Sequence, residues 1–374
     1  MIRCIEAGSE GLVVHWERGG ETTRFPYLWL RDNCACERCR DPRNGQRLFD
    51  ALDLPAEPRP AQALLTQGEV AIRWAAPDAH DSRYAAGWLA ANDLAPAARA
   101  ARQPKPRYWG AAIANDLPQA DWPGVLGDEK AELRLLEALA AHGFALLHRV
   151  PVEAGQVAAV GDRLGHVRVT NYGRLFDVVS LPNPNNLAYT AVGLGVHTDN
   201  PYRDPTPGLQ LLHCLEAGAP GGDTQLVDGF RAAEELRRRH REDFATLARL
   251  PLPFRFADAA TDLLAATPII STDFEGRVTA VHFNNRSMAP LDLPEEEILP
   301  WYRAYRCFAA ILREPAGELR LRLEPGDLLI MENNRALHGR TAFDPNLGRR
   351  HLQGCYVDKD GVESRRRVLR RRAA

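Results

Sequence analysis

His197-Thr198-Asp199-Asn200-Pro201-Tyr202, and far downstream Leu337-His338-Gly339-Arg340, decide how this chain reads. Read as a strand, His197 and Asp199 stand two residues apart and project to the same face. His338 follows the apolar run Leu328-Leu329-Ile330-Met331 and supplies a second imidazole from another strand folded alongside. Two imidazoles and a carboxylate occupy one face of a metal and leave the other positions open, which suits Fe(II) and an oxidant. The short motif is weak alone: His15-Trp16-Glu17 and His240-Arg241-Glu242 match it too, and roughly one match is expected by chance. The second of these reads as a solvated helix face. What separates His197 and Asp199 is their surroundings. A turn-rich segment with Pro201, Pro205, Pro207 and Gly208 leads into the apolar strand Leu209–Cys214, and then into the tight turn Gly221-Gly222-Asp223-Thr224.

The 374 residues suffice for two domains with proper cores. Hydrophobic content of 45%, charged content of 26% and a net charge of −2 describe an ordinary globular chain and give no basis for a nucleic-acid surface. No run of about 18 apolar residues predicts a membrane span, and the N-terminus lacks the apolar core of a signal peptide. Three of the seven cysteines fall within Cys34-Ala35-Cys36-Glu37-Arg38-Cys39, a pattern of metal ligation in a reducing compartment. The expected location is the cytoplasm. The arginine-rich tail, Arg365-Arg366-Arg367 with Arg370-Arg371-Arg372, reads as a solvated terminal helix.

Residues 1–100 form a first unit in which Leu12–Trp16 and Val70–Trp74 read as strands of one small sheet. A linker at 104–107 precedes a second unit, 105–374. There Asp128–His142 has helical periodicity stopped by Gly143, and Phe144–Leu147 reads as a core strand. Further strands are expected at Leu209–Cys214, Thr224–Asp228, Val278–Asn284, Leu319–Leu323, Asp327–Met331 and Gly354–Val357, with one surface helix over Ala232–Leu247. Many strands, Gly/Pro turns and few helices predict a mainly β, α+β chain whose larger unit is a double-sheet jelly roll.

Six stretches carry a family resemblance: Asn186–Thr190, His197–Asp199, Gln210–Cys214, Gly221–Thr224, Leu337–Arg340 and Arg350–Gly354. In them the chain resembles the Fe(II)/2-oxoglutarate dioxygenases of the taurine dioxygenase superfamily, and within it the γ-butyrobetaine hydroxylase group. The resemblance implies a double-stranded β-helix fold and consumption of O2 and 2-oxoglutarate. Succinate and CO2 are released and a substrate C–H bond is hydroxylated. It implies His197, Asp199 and His338 as iron ligands. Arg350 is implied as the guanidinium that grips the far carboxylate of the co-substrate, a geometry that favours arginine over lysine, and Thr224 as a second co-substrate ligand. Arg349 ranks behind Arg350, since it would face away. Related halogenases replace the carboxylate with a small residue, so Asp199 points to hydroxylation. His80 is implied as the fourth ligand that closes a tetrahedral, structural Zn(II) site with Cys34, Cys36 and Cys39. A homodimer is also implied.

The family holds quaternary ammonium substrates in an aromatic cage, because a trimethylammonium group cannot hydrogen-bond and finds its best partners in aromatic faces. Tyr172, Phe176, Tyr189 and Tyr356 match the cage positions. The other end of the substrate is an anion, and Asn200, Tyr202, Asn285 and Arg286 are its expected donors. Arg286 departs from the butyrobetaine hydroxylases, in which that position is not typically basic. A tetrahedral, nearly dianionic phosphonate asks for more donors and charge than a carboxylate does. The arrangement is therefore more similar to 2-(trimethylammonio)ethylphosphonate dioxygenases, which hydroxylate the carbon beside phosphorus. The expected activity is that one, with γ-butyrobetaine hydroxylation as the alternative. A non-catalytic jelly-roll binding protein is a third reading.

Overall fold

The computed structural model describes residues 1–17, 20–179 and 192–373. The chain divides into two compact units, Met1–Pro104 and Lys105–Ala374.

In the first unit, strands β1 (Ile2–Ala7), β2 (Gly11–Trp16) and β3 (Thr22–Pro26) form one antiparallel sheet, followed by helix α1 (Tyr27–Asp32). Strands β4 (Pro60–Thr66), β5 (Glu69–Trp74) and β6 (Asp81–Ala85) form another, followed by α2 (Ala86–Ala91) and α3 (Pro96–Arg102). Leu12–Trp16 and Val70–Trp74 are strands, as expected, but they belong to different sheets. Their inward residues Leu12, Val14, Val70, Ile72 and Trp74 meet in a single core with Phe25 and Leu30. Apolar alternation identifies the buried face of a strand but not its hydrogen-bonded neighbour.

The second unit begins with β7 (Gln119–Asp121), α4 (Trp122–Gly127), α5 (Glu129–His142), β8 (Phe144–His148), α6 (Gln156–Leu164), β9 (Val167–Arg168) and β10 (Phe176–Val178). Helix α5 starts where the Asp128 carboxylate accepts the amides of Lys130 and Ala131, and stops at Gly143, whose φ of 77° is the left-handed C-cap. Then come β11 (Leu194–His197), β12 (Leu209–Ala217), β13 (Thr224–Asp228), α7 (Gly229–Arg239), α8 (Arg241–Arg249), β14 (Pro251–Ala257), β15 (Asp262–Pro268), β16 (Ile270–Thr272) and β17 (Val278–Val281). The chain closes with α9 (Glu295–Leu312), β18 (Glu318–Leu321), β19 (Leu328–Glu332), β20 (Ala336–Arg340), β21 (Arg350–Val357) and α10 (Lys359–Ala373). The single helix expected over Ala232–Leu247 is two, because His240 leaves helical geometry (φ −142°, ψ 69°) between α7 and α8.

Two sheets make the jelly roll. One runs β10-β21-β12-β19-β8-β7, with β9 also on β21, and the other runs β11-β20-β13-β18. The inner strands of the large sheet are buried on both faces, which explains their near-continuous apolar runs. Leu209, Leu211, Leu328, Ile330, Cys355 and Val357 pack against residues of α5, α6 and α10. Leu212, Leu329, Met331 and Leu352 pack with Leu226 of the small sheet. Gln210 and Tyr356 share this second side, so strand alternation turns two polar groups into the space between the sheets. The opposite side of the small sheet, through Val227 and Leu337, packs with α7, α8 and α9.

Helix α10 departs from the solvated tail expected of its arginines. Arg365 and Arg163 both reach the fully buried Glu132 of α5, while Arg366 and Arg370 reach Glu137 and Arg372 reaches Glu129. Leu369 and Val362 fix its apolar side in the core. Among the described residues no helix is long and apolar enough to cross a membrane.

Candidate active site

His197 and His338 are direct partners in the β11–β20 register, and this pairing brings the two distant motifs together. Their ring centroids lie 4.4 Å apart. Asp199 Oδ1 lies 3.3 Å from His197 Nε2 and 3.9 Å from His338 Nε2. The strand expected to carry both His197 and Asp199 ends at His197. Asp199 is held instead by side-chain rungs. Its amide donates to Asn333 Oδ1 at 2.7 Å, and Asn333 Nδ2 donates back to the Asp199 carbonyl at 2.9 Å.

The three ligand atoms lie within 4.8 Å of one another, and their chemistry fits a divalent iron. His197 Nδ1 points at the Gly195 carbonyl, 3.0 Å away, which fixes the tautomer and leaves the Nε2 lone pair facing Asp199. Burial, reinforced by His197, lowers the His338 pKa to about 3, so this imidazole is a neutral donor at physiological pH. Burial alone would raise Asp199. His338, His197 and the Tyr356 hydroxyl outweigh it and hold the carboxyl well below the usual carboxylate range.

A cavity of about 470 Å³ opens over this triad, within the range of small-molecule sites. Arg350, at the start of β21, and Thr224, at the start of β13, both line it. Gly222 has φ +72°, and a Cβ there would sit 2.8 Å from Arg350 Cδ and Nε, so the Gly-Gly turn makes room for the guanidinium. Arg350 makes no ion pair among the described residues, whereas Arg349 is exposed and paired with Glu216 at 3.2 Å. Arg340, absent from the sequence reading of the site, also lines the cavity. Burial, with Arg350 nearby, lowers its pKa to about 10, and it donates to the Val192 carbonyl.

Tyr172, Phe176 and Tyr356 line one region of the cavity. Phe176 and Tyr356 are 5.1 Å apart, and Tyr172 and Phe176 are 6.5 Å apart with edge-on geometry. Phe176 is the register partner of Gly354, and a Cβ on Gly354 would come within 2.5 Å of the Phe176 ring. Tyr189 lies outside the described residues. Phe256 of β14 was not evident from the sequence. It stacks on Tyr202 at 5.3 Å and lies 5.9 Å from Tyr172, extending the aromatic wall.

The donor set expected for an anion needs two corrections. The Tyr202 hydroxyl has one proton, which it donates to Asn200 Oδ1 at 2.6 Å. Tyr202 therefore orients Asn200, and Tyr172, 3.2 Å from the Tyr202 hydroxyl, becomes the donor to Tyr202. The free end of this chain is Asn200 Nδ2, a buried donor with no hydrogen-bond partner among the described residues. Asn285 is exposed and does not line the cavity; its neighbour Asn284 does. Asn284 Nδ2 donates to the Thr198 carbonyl at 3.0 Å and its Oδ1 accepts the Arg286 amide at 3.2 Å. The turn carrying Arg286 is thus tied to the segment between His197 and Asp199. Arg286 lines the cavity from its open side, close enough to Asp199, Tyr172 and Tyr202 to be influenced by all three, and makes no ion pair among the described residues.

In the first unit, Cys34, Cys36 and Cys39 place Sγ at 3.4, 3.5 and 3.5 Å from His80 Nε2. A tetrahedral zinc with ordinary Zn–S and Zn–N bonds sets such edges at about 3.5 Å, so the cluster is compatible with zinc. Arg31 was not singled out in the sequence. It donates to Cys39 Sγ at 3.4 Å and pairs with Asp78, offsetting thiolate charge from outside the ligand set.

Residues 81–356 match the family model of the taurine catabolism dioxygenase TauD, TfdA family, and residues 5–90 match the gamma-butyrobetaine hydroxylase-like N-terminal model. The chain is 37% identical to a gamma-butyrobetaine dioxygenase of Pseudomonas sp. (strain AK-1), over 97% of this chain and 94% of that protein. It is 32% identical to the human gamma-butyrobetaine dioxygenase, over 94% and 92%. It is 32% identical to a trimethyllysine dioxygenase of Meyerozyma guilliermondii, over 96% and 94%. A taurine dioxygenase structure from Burkholderia xenovorans superposes with a TM-score of 0.50 at 17% identity, over 69% of this chain and 93% of that one, in agreement with the fold. With the triad, the open cavity and these full-length relatives in hand, the chain belongs to the TauD/TfdA family as a γ-butyrobetaine-hydroxylase-like Fe(II)/2-oxoglutarate-dependent dioxygenase.

Proposed function

We propose that this enzyme hydroxylates a small trimethylammonium compound with an anion at its other end, using Fe(II) held by His197, Asp199 and His338. The observation that carries this reading is one cavity combining that triad, an aromatic wall and two guanidinium groups, Arg286 and Arg350, that make no ion pair among the described residues. Fe(II), bound there with 2-oxoglutarate, supplies the activation of O2 that places one oxygen atom in succinate and the other in a substrate C–H bond. Arg350 grips the far carboxylate of 2-oxoglutarate, and Thr224 adds a hydroxyl donor. Tyr172, Phe176 and Tyr356 offer aromatic faces to the cation. Asn200 Nδ2 and Arg286 hold the anion, which orients the chain of carbons between the two ends. The names of the relatives favour γ-butyrobetaine as substrate.

A second reading, hydroxylation of 2-(trimethylammonio)ethylphosphonate, is supported by Arg286. A full positive charge at the anionic end suits a dianion better than a carboxylate. The test is succinate formation with each compound in parallel, under Fe(II), O2 and 2-oxoglutarate. Succinate stimulated by neither compound rejects both readings. We also propose that Cys34, Cys36, Cys39 and His80 bind a structural zinc.

A further inference from the structure

Two side chains outside the three metal ligands converge on a single atom. Gln210 Nε2 donates to Asp199 Oδ2 at 2.6 Å, and the Tyr356 hydroxyl donates to the same oxygen at 2.7 Å. Gln210 and Tyr356 are register partners on β12 and β21, so the sheet aims both at that oxygen. Both are buried, at 3% and 4% exposure. The other oxygen, Oδ1, is the one facing His197 and His338. The two carboxylate oxygens are therefore in different environments. Two donors occupy Oδ2, and Oδ1 is left for a metal.

We infer that Gln210 and Tyr356 are positioning residues that hold Asp199 to coordination through one oxygen. This rests on the assignment of His197, Asp199 and His338 as the iron ligands. A carboxylate free to turn can bind a metal through both oxygens and fill a position that a chelating co-substrate requires. Two donors fixed by the sheet oppose that rotation. Tyr356 has a further part, because its ring also lies against Phe176 in the aromatic wall. One side chain thus touches both the proposed cation site and a ligand of the metal. Removing its hydroxyl separates the two roles, since phenylalanine keeps the ring.

The test uses the full chain stripped of iron and titrated with Mn(II), which thiolates bind poorly and which therefore reports on the N/O site. Asp199→Ala sets the baseline. Tyr356→Phe and Gln210→Leu are each expected to weaken Mn(II) binding roughly 10-fold, in the range seen when an outer partner of a metal ligand is removed. Each is also expected to weaken 2-oxoglutarate binding to the Mn(II)-loaded protein. With Fe(II), each should raise the succinate formed per hydroxylated product. Thermal unfolding identifies a misfolded variant, and Gln210→Leu then carries the test without touching the aromatic wall. The inference is overturned if the folded variants keep wild-type Mn(II) and 2-oxoglutarate affinities and wild-type coupling. It is equally overturned if Tyr356→Phe changes only the KM for the trimethylammonium substrate. Wild-type Mn(II) binding no tighter than that of Asp199→Ala would instead remove the ligand assignment beneath it.

Discussion

His197 and His338 stand opposite each other across β11 and β20, with ring centroids 4.4 Å apart. The convergence of the two imidazoles is therefore a property of sheet register. A one-residue slip would turn His338 to the face where Leu337 now packs against the helices. The large sheet works the same way, because the β12–β21 pairing that places Leu211 against the helices places Gln210 and Tyr356 in the cavity.

The co-substrate site gives the first prediction. Arg350→Ala should raise the 2-oxoglutarate KM roughly 10- to 150-fold, the value of about 1.5–3 kcal/mol for a charge-assisted hydrogen bond. Arg350→Lys should recover only part, because an ammonium lacks the planar fork. Arg349→Ala, which removes a surface pair with Glu216, should leave KM unchanged. Initial rates at varied 2-oxoglutarate decide it, and equal effects at 349 and 350 would refute the assignment.

The second concerns the first unit. Cys36→Ser should release zinc and lower Tm, since metal affinity at a closed site is folding energy. Arg31→Met, which keeps the ligands but removes the cation beside Cys39, should weaken zinc binding roughly 10- to 100-fold. Elemental analysis and chelator competition measure both. Purified protein without zinc would end this reading.

How far the site could be read from sequence depends on what each feature requires. The convergence of His197, Asp199 and His338 was legible from ligand type and from the flanking motifs, but not from strand spacing, since Asp199 lies beyond the strand and is held by Asn333. The aromatic wall was legible in residue type. The direction of the hydroxyls was not, because the Tyr202 and Tyr356 protons go to partners chosen by tertiary packing. Gln210 carries a sequence signal of its own, a polar side chain between the apolar Leu209 and Leu211 of a buried strand. The pairing of α10 with α5 had no local signal, since Glu129, Glu132 and Glu137 read as the exposed acids of an ordinary helix.

That pairing yields a third prediction, on pH. Burial raises the Glu132 carboxyl, but Arg365 and Arg163 outweigh it and leave the pKa below the ordinary value. A depressed folded pKa contributes stability that is complete above the unfolded value, about 4.3, and is lost as pH falls through the folded value. Wild-type protein should therefore lose stability below about pH 4 more steeply than Glu132→Gln. At neutral pH, removing the charge of the buried carboxylate weakens its hydrogen bonds to two partly exposed arginines and should cost about 1.5–3 kcal/mol. Urea unfolding across pH measures both, and parallel pH curves for the two proteins would exclude Glu132 as the acid-sensitive anchor.

The last prediction concerns substrate choice. On the proposed reading the aromatic wall takes the trimethylammonium end, which γ-butyrobetaine and its phosphonate counterpart share, so it would contribute equally to both and could not discriminate. Discrimination belongs to the anionic end. There Asn200 Nδ2 is fixed through the Tyr172–Tyr202–Asn200 hydroxyl chain, and Arg286 supplies charge from a turn tied to Thr198. Asn200 has one amide to offer and serves either anion. Arg286 adds most where a second negative charge and a third oxygen are present. Arg286→Ala should therefore reduce kcat/KM for 2-(trimethylammonio)ethylphosphonate roughly 10- to 150-fold, and that for γ-butyrobetaine by less. Tyr202→Phe, which frees Asn200 to rotate, should lower both by similar factors. Steady-state kinetics with the two substrates separate the readings. If Arg286→Ala harms both equally, or if the wild-type enzyme prefers γ-butyrobetaine, the charge at 286 serves a carboxylate and the chain acts as its named relatives do.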